Sequence, residues 1–274
     1  MKNYLNKILK LATQQLKNIS TSASLDAEVL LSFILNKKRN WILSHLETKI
    51  NIIQKLRYQH LVNKRNKGWP IAYLIKEKEF YNLKFKINKK VLIPRPESEL
   101  FIEEIKKINP QKQTIVDVGT GSGCLIVSLA KNIPNNRFIG VDISKSALHL
   151  AKKNSQINQT NIKFKQSNLL KNIDEKKIDI IIANLPYLTI EQMVEPSIKR
   201  EPRIALLSNN NGLGHYEKLL FQISQLQYVP SYIFLEIDPQ QEAQITNLIK
   251  NTLPKKQITT IKDLNNNTRL VKIS

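Results

Sequence analysis

From residue 113 onward the chain alternates short apolar runs with amphipathic ones, and this rhythm constrains the fold more than any other feature. TIVDVG is a buried strand, GSGCLIVSLAKN opens a helix, NRFIGVD is a second strand and SKSALHLAKKNSQIN a second helix. NIKFKQS, KIDIIIAN and PSYIFLEID continue the strands, DPQQEAQITNLIKN adds a helix, and TTIKDL and TRLVKIS offer two closing strands. Alternation of this kind predicts a doubly wound α/β sheet with helices on both faces. Within it, DVGTGSG puts Gly119, Gly121 and Gly123 at the first strand-to-helix turn. Glycine there permits positive φ and close backbone approach, and the helix start presents free N–H groups. Asp142 ends the second strand, 23 positions beyond Gly119. A carboxylate at that point can accept both hydroxyls of a ribose. The glycine turn alone is equally an ordinary tight turn; the acid at the right strand end favours a nucleotide.

The first seventy residues carry a different pattern. Leu5, Ile8, Leu9, Leu11 and Leu16 recur near helical spacing, and Ser24 is expected to cap a helix over LDAEVLLSFIL. KINIIQKLRYQHLVNKRNKG gives a further helix ending near Gly68. PIAYLIKEKEFYNLKFKINKKVLIP then alternates Phe80, Leu83, Phe85 and Ile87 around Asn82 and Asn88, which predicts a hairpin. Pro94 and Pro96 pin an extended segment, and Pro96-Glu97-Ser98-Glu99 opens a helix with acids at its positive end. The expected organisation is a helical domain over 1–69, a hairpin linker over 70–96 and an α/β domain over 97–274.

Composition closes off several function classes. With 41% hydrophobic and 24% charged residues the chain is globular rather than disordered. A single cysteine, Cys124, excludes an internal disulfide framework and a multi-cysteine metal site. His45, His60, His149 and His215 are scattered without ligand spacing, so no metal is expected and surface or packing roles are. The N-terminal MKNYLNKILKLATQQLKN is too polar to span a bilayer. A cytoplasmic, membrane-free protein follows as the expectation. The net charge of +21 allows a nucleic-acid partner without requiring one, because the cations are mostly Lys spread through an Asn- and Ile-rich chain.

The spacing of the glycine turn narrows the cofactor. It is neither G-x-G-x-x-G nor a phosphate loop ending in Gly-Lys-Ser/Thr. Asp117 followed by Gly119-Thr120-Gly121-Ser122-Gly123 resembles motif I of the class I S-adenosylmethionine (AdoMet) methyltransferases. The resemblance implies that this loop wraps a cationic methionine moiety in the field of Asp117, and that Asp142 holds the ribose. It also implies that Asn168 and Leu169 flank the adenine, with Asn168 standing where Asp is frequent.

IIANLPYLTI raises the remaining question, since a buried strand ends there in Asn184, Leu185, Pro186 and Tyr187. Asn and Pro are ordinary turn residues. In a methyltransferase frame they are also chemically apt. The Asn184 side-chain oxygen and the Leu185 carbonyl could together accept hydrogen bonds from one planar NH₂ group, aiming its lone pair and stabilising the developing charge. Pro186 would hold Leu185 extended, and Tyr187 would offer a ring for stacking. No general base is needed before attack, because the nitrogen becomes acidic only after it gains the methyl. The tetrapeptide suits amide and nucleobase nitrogens alike.

The blocks GWPIAYLIKEKEFYNLKFKINKKVLIPRPESEL, DVGTGSGCLIVSLA, VDIS, IIANLPY and EPRIALLSNNNGLGHY together resemble the bacterial peptide chain release factor N5-glutamine methyltransferases. The linker, which general methyltransferases lack, and the helical N-terminal domain both belong to that resemblance. It implies a Rossmann-like seven-stranded methyltransferase sheet and AdoMet as methyl donor, with S-adenosylhomocysteine as product. It further implies a monomer whose partners are release factors 1 and 2, the acceptor being the glutamine amide of their Gly-Gly-Gln loop. Leu185 departs from the family's usual Asn-Pro-Pro-Tyr and makes the tetrapeptide look like that of rRNA adenine dimethylases. An RNA amino-methyltransferase, or a non-catalytic AdoMet-binding partner of release factor, are the alternative readings. Arg95 with Glu97, and Glu201 with Arg203, are expected as linker ion pairs or as shapers and gates of the pocket. Cys124 is expected to pack rather than react, and Trp41 and Trp69 to lie in the core or at a domain contact.

Overall fold

The computed structural model describes residues 4–175 and 177–274. The chain divides into two compact units, one of residues 1–77 with 194–200 and the other of residues 78–193 with 201–274.

The first unit is helical: α1 (Leu5–Leu16), α2 (Ala23–Leu35), α3 (Arg39–Ser44), α4 (Ile52–Asn66) and α5 (Ile71–Ile75). Leu5, Ile8, Leu9, Ala12 and Leu16 form one stripe of α1 and pack with Leu30 and Leu31 of α2 and Tyr58 and Val62 of α4. The Tyr58 hydroxyl meets its hydrogen-bond demand inside this core by donating to the Ala27 carbonyl at 3.0 Å. Ser24 does not cap α2. The helix begins one residue earlier because Ala23 is buried in the core, and the Ser24 hydroxyl donates to Glu28 at 2.9 Å from within the first turn. Two helices differ from expectation: α3 falls in a stretch that gave no signal, and α5 occupies the start of the segment assigned to the hairpin linker. Pro70 precedes α5, and its Leu74 is drawn into the helical core. Residues 194–200 join this unit through Arg200, which donates to the Lys67 carbonyl at 3.0 Å and lies 5.3 Å from the Trp69 ring centre.

The second unit opens with the hairpin β1 (Glu77–Phe80) and β2 (Leu83–Lys86), then a 3₁₀ turn at Pro96–Glu99 leads into α6 (Leu100–Ile108). Asn154, fully buried, clamps the hairpin by exchanging hydrogen bonds with the Lys86 backbone and donating to the Ser122 carbonyl. The alternation follows as β3 (Thr114–Val118), α7 (Cys124–Asn132), β4 (Arg137–Asp142), α8 (Lys145–Ile157), β5 (Lys163–Gln166) and β6 (Ile180–Ala183). It closes with α9 (Gly214–Ser224), β7 (Tyr232–Glu236), α10 (Glu242–Thr252), β8 (Ile258–Lys262) and β9 (Thr268–Ile273). One seven-stranded sheet results, in the order β5-β4-β3-β6-β7-β9-β8. The first five strands of that order are parallel; β9 runs antiparallel to both neighbours.

Strand β6 is buried along its whole length, as a central parallel strand must be when both faces are covered. Its Ile181 and Ala183 pack with Leu219, Leu220 and Ile223 of α9 and Ile245 and Ile249 of α10. Helix α9 was not anticipated, although Tyr216, Leu219, Leu220 and Ile223 stand at i, i+3, i+4 and i+7. Sheet order reverses between β3 and β6. A crevice beyond the carboxyl ends of those strands is where an open α/β sheet binds its ligand.

Candidate active site

That crevice is present, and it lies wholly within the second unit. It is lined by the glycine loop, by Asp117 and Asp142, by Asn168 and Leu169, and by Asn184, Leu185 and Pro186. Residues spread over seventy positions of sequence thus share one cleft. Gly123 stands at the start of α7, behind the lining.

The loop half is built by backbone. Gly119 and Thr120 both donate their N–H to the Val141 carbonyl at 2.9 Å, tying the turn to β4. Gly119 sits at φ +76°, a conformation that favours glycine, and a Cβ on it would stand 2.9 Å from Leu185 Cδ2, which would have to give way. Asp142 accepts from Gly121 N–H at 2.9 Å through Oδ2 and from Ser144 N–H at 2.8 Å through Oδ1. Each carboxylate oxygen has a second lone pair, so capacity remains for ribose hydroxyls. Leu169 holds φ +54°, a conformation a leucine rarely adopts, between backbone bonds from Ser167 to Asp142 and from Leu170 to the Gln222 side chain.

Asp117 is the chemically informative member. It is 1% exposed; Oδ2 accepts from the Thr120 hydroxyl at 2.6 Å, and Oδ1 has no partner among the described residues. Burial, reinforced by Asp142 and opposed by the Thr120 bond and by the Ile126 backbone N–H, pushes its pKa up to about 7. An orphaned buried carboxylate oxygen calls for a cation. The ammonium of AdoMet is such a group, and the cleft supplies Ile143 and Leu169 as apolar neighbours for a planar base. The residues present fit this cofactor.

The other half is built by side chains. Asn184 follows β6 directly, and its Nδ2 donates to the Ser98 hydroxyl at 3.0 Å. Ser98, in the 3₁₀ turn, donates to Glu236 Oε2 at 2.5 Å. Tyr187 packs against the core cluster rather than lining the cleft, and its hydroxyl donates to Glu236 Oε1 at 3.4 Å. Its backbone is held as well: Gln241 donates to the Tyr187 carbonyl at 3.0 Å, and Leu188 pairs with Leu206 and Ser208. Gly212, at φ +87°, passes so close that a Cβ would fall 2.1 Å from that same carbonyl. Glu236 is 3% exposed, and burial pushes its pKa up to about 7 against the hydrogen bonds that lower it. Ser98 and Glu236 had not been singled out in the sequence; a buried acid at the end of a core strand was the available signal.

Arg95 pairs with Glu201 rather than Glu97, and Glu201 also accepts from the Ile93 N–H at 2.9 Å, so this carboxylate fastens the linker to the segment after the tetrapeptide. Arg203 lies in a separate 3₁₀ turn, Arg203–Ala205. His215 lines the cleft instead of serving only a surface or packing role, and burial followed by Lys218 lowers its pKa against a hydrogen bond with the Leu207 backbone. Cys124 also lines the cleft, with its thiol pushed up to about 12 by burial, which makes it unreactive. Among the described residues no group of His, Cys, Asp or Glu is arranged to hold a metal ion.

A sheet of this order, with a glycine loop after its first strand and a crevice at the switch point, defines the chain as a class I methyltransferase. Family matches agree: the methyltransferase small domain covers residues 96–201 and the PrmC N-terminal domain residues 7–75. The release factor glutamine methyltransferase of Enterococcus faecalis is 39% identical over 74% of this chain and 74% of that one. The protein of the same name from Haemophilus influenzae is 31% identical over 93% of this chain and 92% of its own. This chain belongs to the release factor glutamine methyltransferase family. Among solved structures, the human METTL16 catalytic domain with the MAT2A 3'UTR hairpin 1 superposes with a TM-score of 0.61 at 13% identity, covering 89% of this chain and 90% of that one. The N-terminal domain of human METTL16 with SAH gives 0.55 at 16%, covering 89% and 93%. These two share the fold alone. No described helix is long and apolar enough to cross a membrane.

Proposed function

We propose that this protein transfers a methyl group from AdoMet to the side-chain amide nitrogen (N5) of the glutamine in the Gly-Gly-Gln loop of release factors 1 and 2. The observation that carries the proposal is the meeting of the orphaned Asp117 oxygen and the Asn184-Leu185-Pro186 segment in one cleft. AdoMet, when bound, supplies a methyl on a sulfonium, an electrophile that needs no further activation. Asp117 holds the ammonium and Asp142 the ribose hydroxyls. Asn184 Oδ1 and the Leu185 carbonyl receive the two N–H groups of the substrate amide, which orients the nitrogen lone pair toward the methyl. As the N–C bond forms and the S–C bond breaks, the nitrogen becomes positive and these two acceptors stabilise it. One amide proton then leaves to water. The helical unit serves as the docking module for release factor, and the enzyme acts as a cytoplasmic monomer.

The test is transfer of labelled methyl from AdoMet to purified release factor, beside a Gly-Gly-Gln to Gly-Gly-Ala variant and naked ribosomal RNA. Label on the wild-type factor alone is the expected result. Label on RNA alone would replace this reading with an RNA amino-methyltransferase, and no label with tight AdoMet binding would replace it with a non-catalytic partner.

A further inference from the structure

The cofactor half of the cleft is set by backbone; the amide half depends on which way one side-chain amide points. Asn184 can serve a substrate NH₂ only if its oxygen, and not its nitrogen, faces the cleft. A side-chain amide has no intrinsic preference between the two orientations. Something outside Asn184 must choose.

We propose that Glu236 makes the choice through Ser98, as a positioning pair for the methyl-transfer reaction. An ionised carboxylate accepts hydrogen bonds and cannot donate them. Glu236 Oε2 therefore accepts a hydrogen bond from the Ser98 hydroxyl, at 2.5 Å. With its one proton committed, Ser98 can only accept from its next neighbour, and it accepts from Asn184 Nδ2 at 3.0 Å. The Asn184 nitrogen is thereby turned inward, where it also faces the Glu236 carboxylate as a hydrogen-bond donor, and Oδ1 is left for the substrate. The Tyr187 hydroxyl occupies the other carboxylate oxygen, at 3.4 Å. One acceptor-only group at the end of β7 thus sets the polarity of a relay that ends at the reacting amide. It also assigns a task to the linker, because the Pro96–Glu99 turn brings Ser98 there.

Protonation of Glu236 would undo the arrangement. A carboxylic acid can donate to Ser98, which frees the serine proton for Asn184 and permits the amide to reverse. Glu97 and Ser98 face this carboxylate from the 3₁₀ turn, Asn184 and Tyr187 from beyond β6, Tyr216 from α9 and Cys124 from α7. The nearest cations act only at a remove, since Arg269 and Arg95 reach Tyr187 and are paired with Asp263 and Glu201. Turnover at saturating AdoMet is therefore expected to fall on acidification through about pH 7, where the Glu236 pKa lies.

This inference rests on the proposed role of Asn184, and the experiment separates the two. Glu236→Gln keeps the shape and gains a donor. It should lower kcat about 10-fold or more with AdoMet Kd within about 3-fold of wild type, and should remove the acid limb of the kcat profile. Ser98→Ala tests the relay at its middle member and should lower kcat in the same direction, while Ser98→Thr, which keeps the hydroxyl, should restore it. The side-chain amide protons of Asn184, followed by NMR in the AdoMet-bound protein, report the relay without any acceptor. They should exchange slowly in wild type and lose protection in Glu236→Gln and Ser98→Ala. Wild-type kcat in both variants, or unchanged amide protection, would overturn the positioning role. A protected Asn184 amide in a protein that labels no release factor would overturn the substrate reading and leave the relay standing.

Discussion

Two buried carboxylates serve one cleft, Asp117 in its lining and Glu236 behind Ser98 and Asn184, both pushed to about 7 chiefly by burial, and they are there for different reasons. Asp117 has an oxygen that nothing in the described protein satisfies, so its cost is offset only when a cation arrives. Glu236 has both oxygens taken by Ser98 and Tyr187, so it is complete without a ligand. An unsatisfied buried group marks a place that binds, whereas a satisfied one marks a place that positions. Similar shifts in pKa do not by themselves distinguish the two; the hydrogen-bond inventory does.

The contrast can be broken most directly at Asn184. Asn184→Ala is expected to reduce kcat about 10²- to 10³-fold, the scale for losing one donor or acceptor aimed at developing charge, with little change in AdoMet Kd by calorimetry. Asp117→Asn should show the converse, weakening AdoMet about 10- to 100-fold through loss of a charge-assisted bond while kcat at saturation changes far less. A variant at either position that shifted both quantities equally would merge the two halves into one.

Proton linkage sharpens the same distinction. The folded Asp117 pKa is raised above its ordinary 3.8 to about 7, so below that pH the cation must displace a proton on binding. AdoMet affinity, and the thermal stabilisation it confers, should therefore weaken as pH falls through about 7 and flatten in Asp117→Asn. For the ligand-free protein the sign reverses: this buried charge costs stability above about 7, and that cost is relieved as pH falls. Differential scanning calorimetry with and without AdoMet at pH 6 and 8, roughly one unit to either side, reads both effects.

Gly119 is where the halves touch. Gly119→Ala combines an unfavourable φ with a Cβ pressed on Leu185, and should cost about 1–3 kcal/mol in chemical denaturation. The smallest effect is expected for Tyr187→Phe. Its hydrogen bond to Glu236 is long, so kcat should change by less than about 3-fold. A loss matching that of Glu236→Gln would move Tyr187 from a supporting role into the relay.

Leu185 illustrates how a departure in sequence acquires a local meaning. Against the family's usual proline it looked like a hint of another substrate. In the fold its side chain is 4% exposed and lies against the Gly119 turn, so it joins the core beneath the loop. The carbonyl that would face the substrate amide belongs to the same residue and survives the change.

What the sequence determined by itself was whatever depends on local periodicity and local chemistry. Strand and helix alternation made the doubly wound sheet legible, because hydrophobic period follows from which faces are buried. The glycine turn, Asp142 and the Asn-Leu-Pro-Tyr end of β6 were legible because each is a short run whose residue types restrict the backbone or offer particular donors and acceptors. Tertiary structure alone decided which distant groups became partners. Ser98 meets Glu236 across 138 positions, and Arg95 meets Glu201 across 106. No periodicity encodes such pairings. They arise because parallel strands deliver their carboxyl ends to one edge, and because a buried polar group takes whichever partner the packing brings within reach.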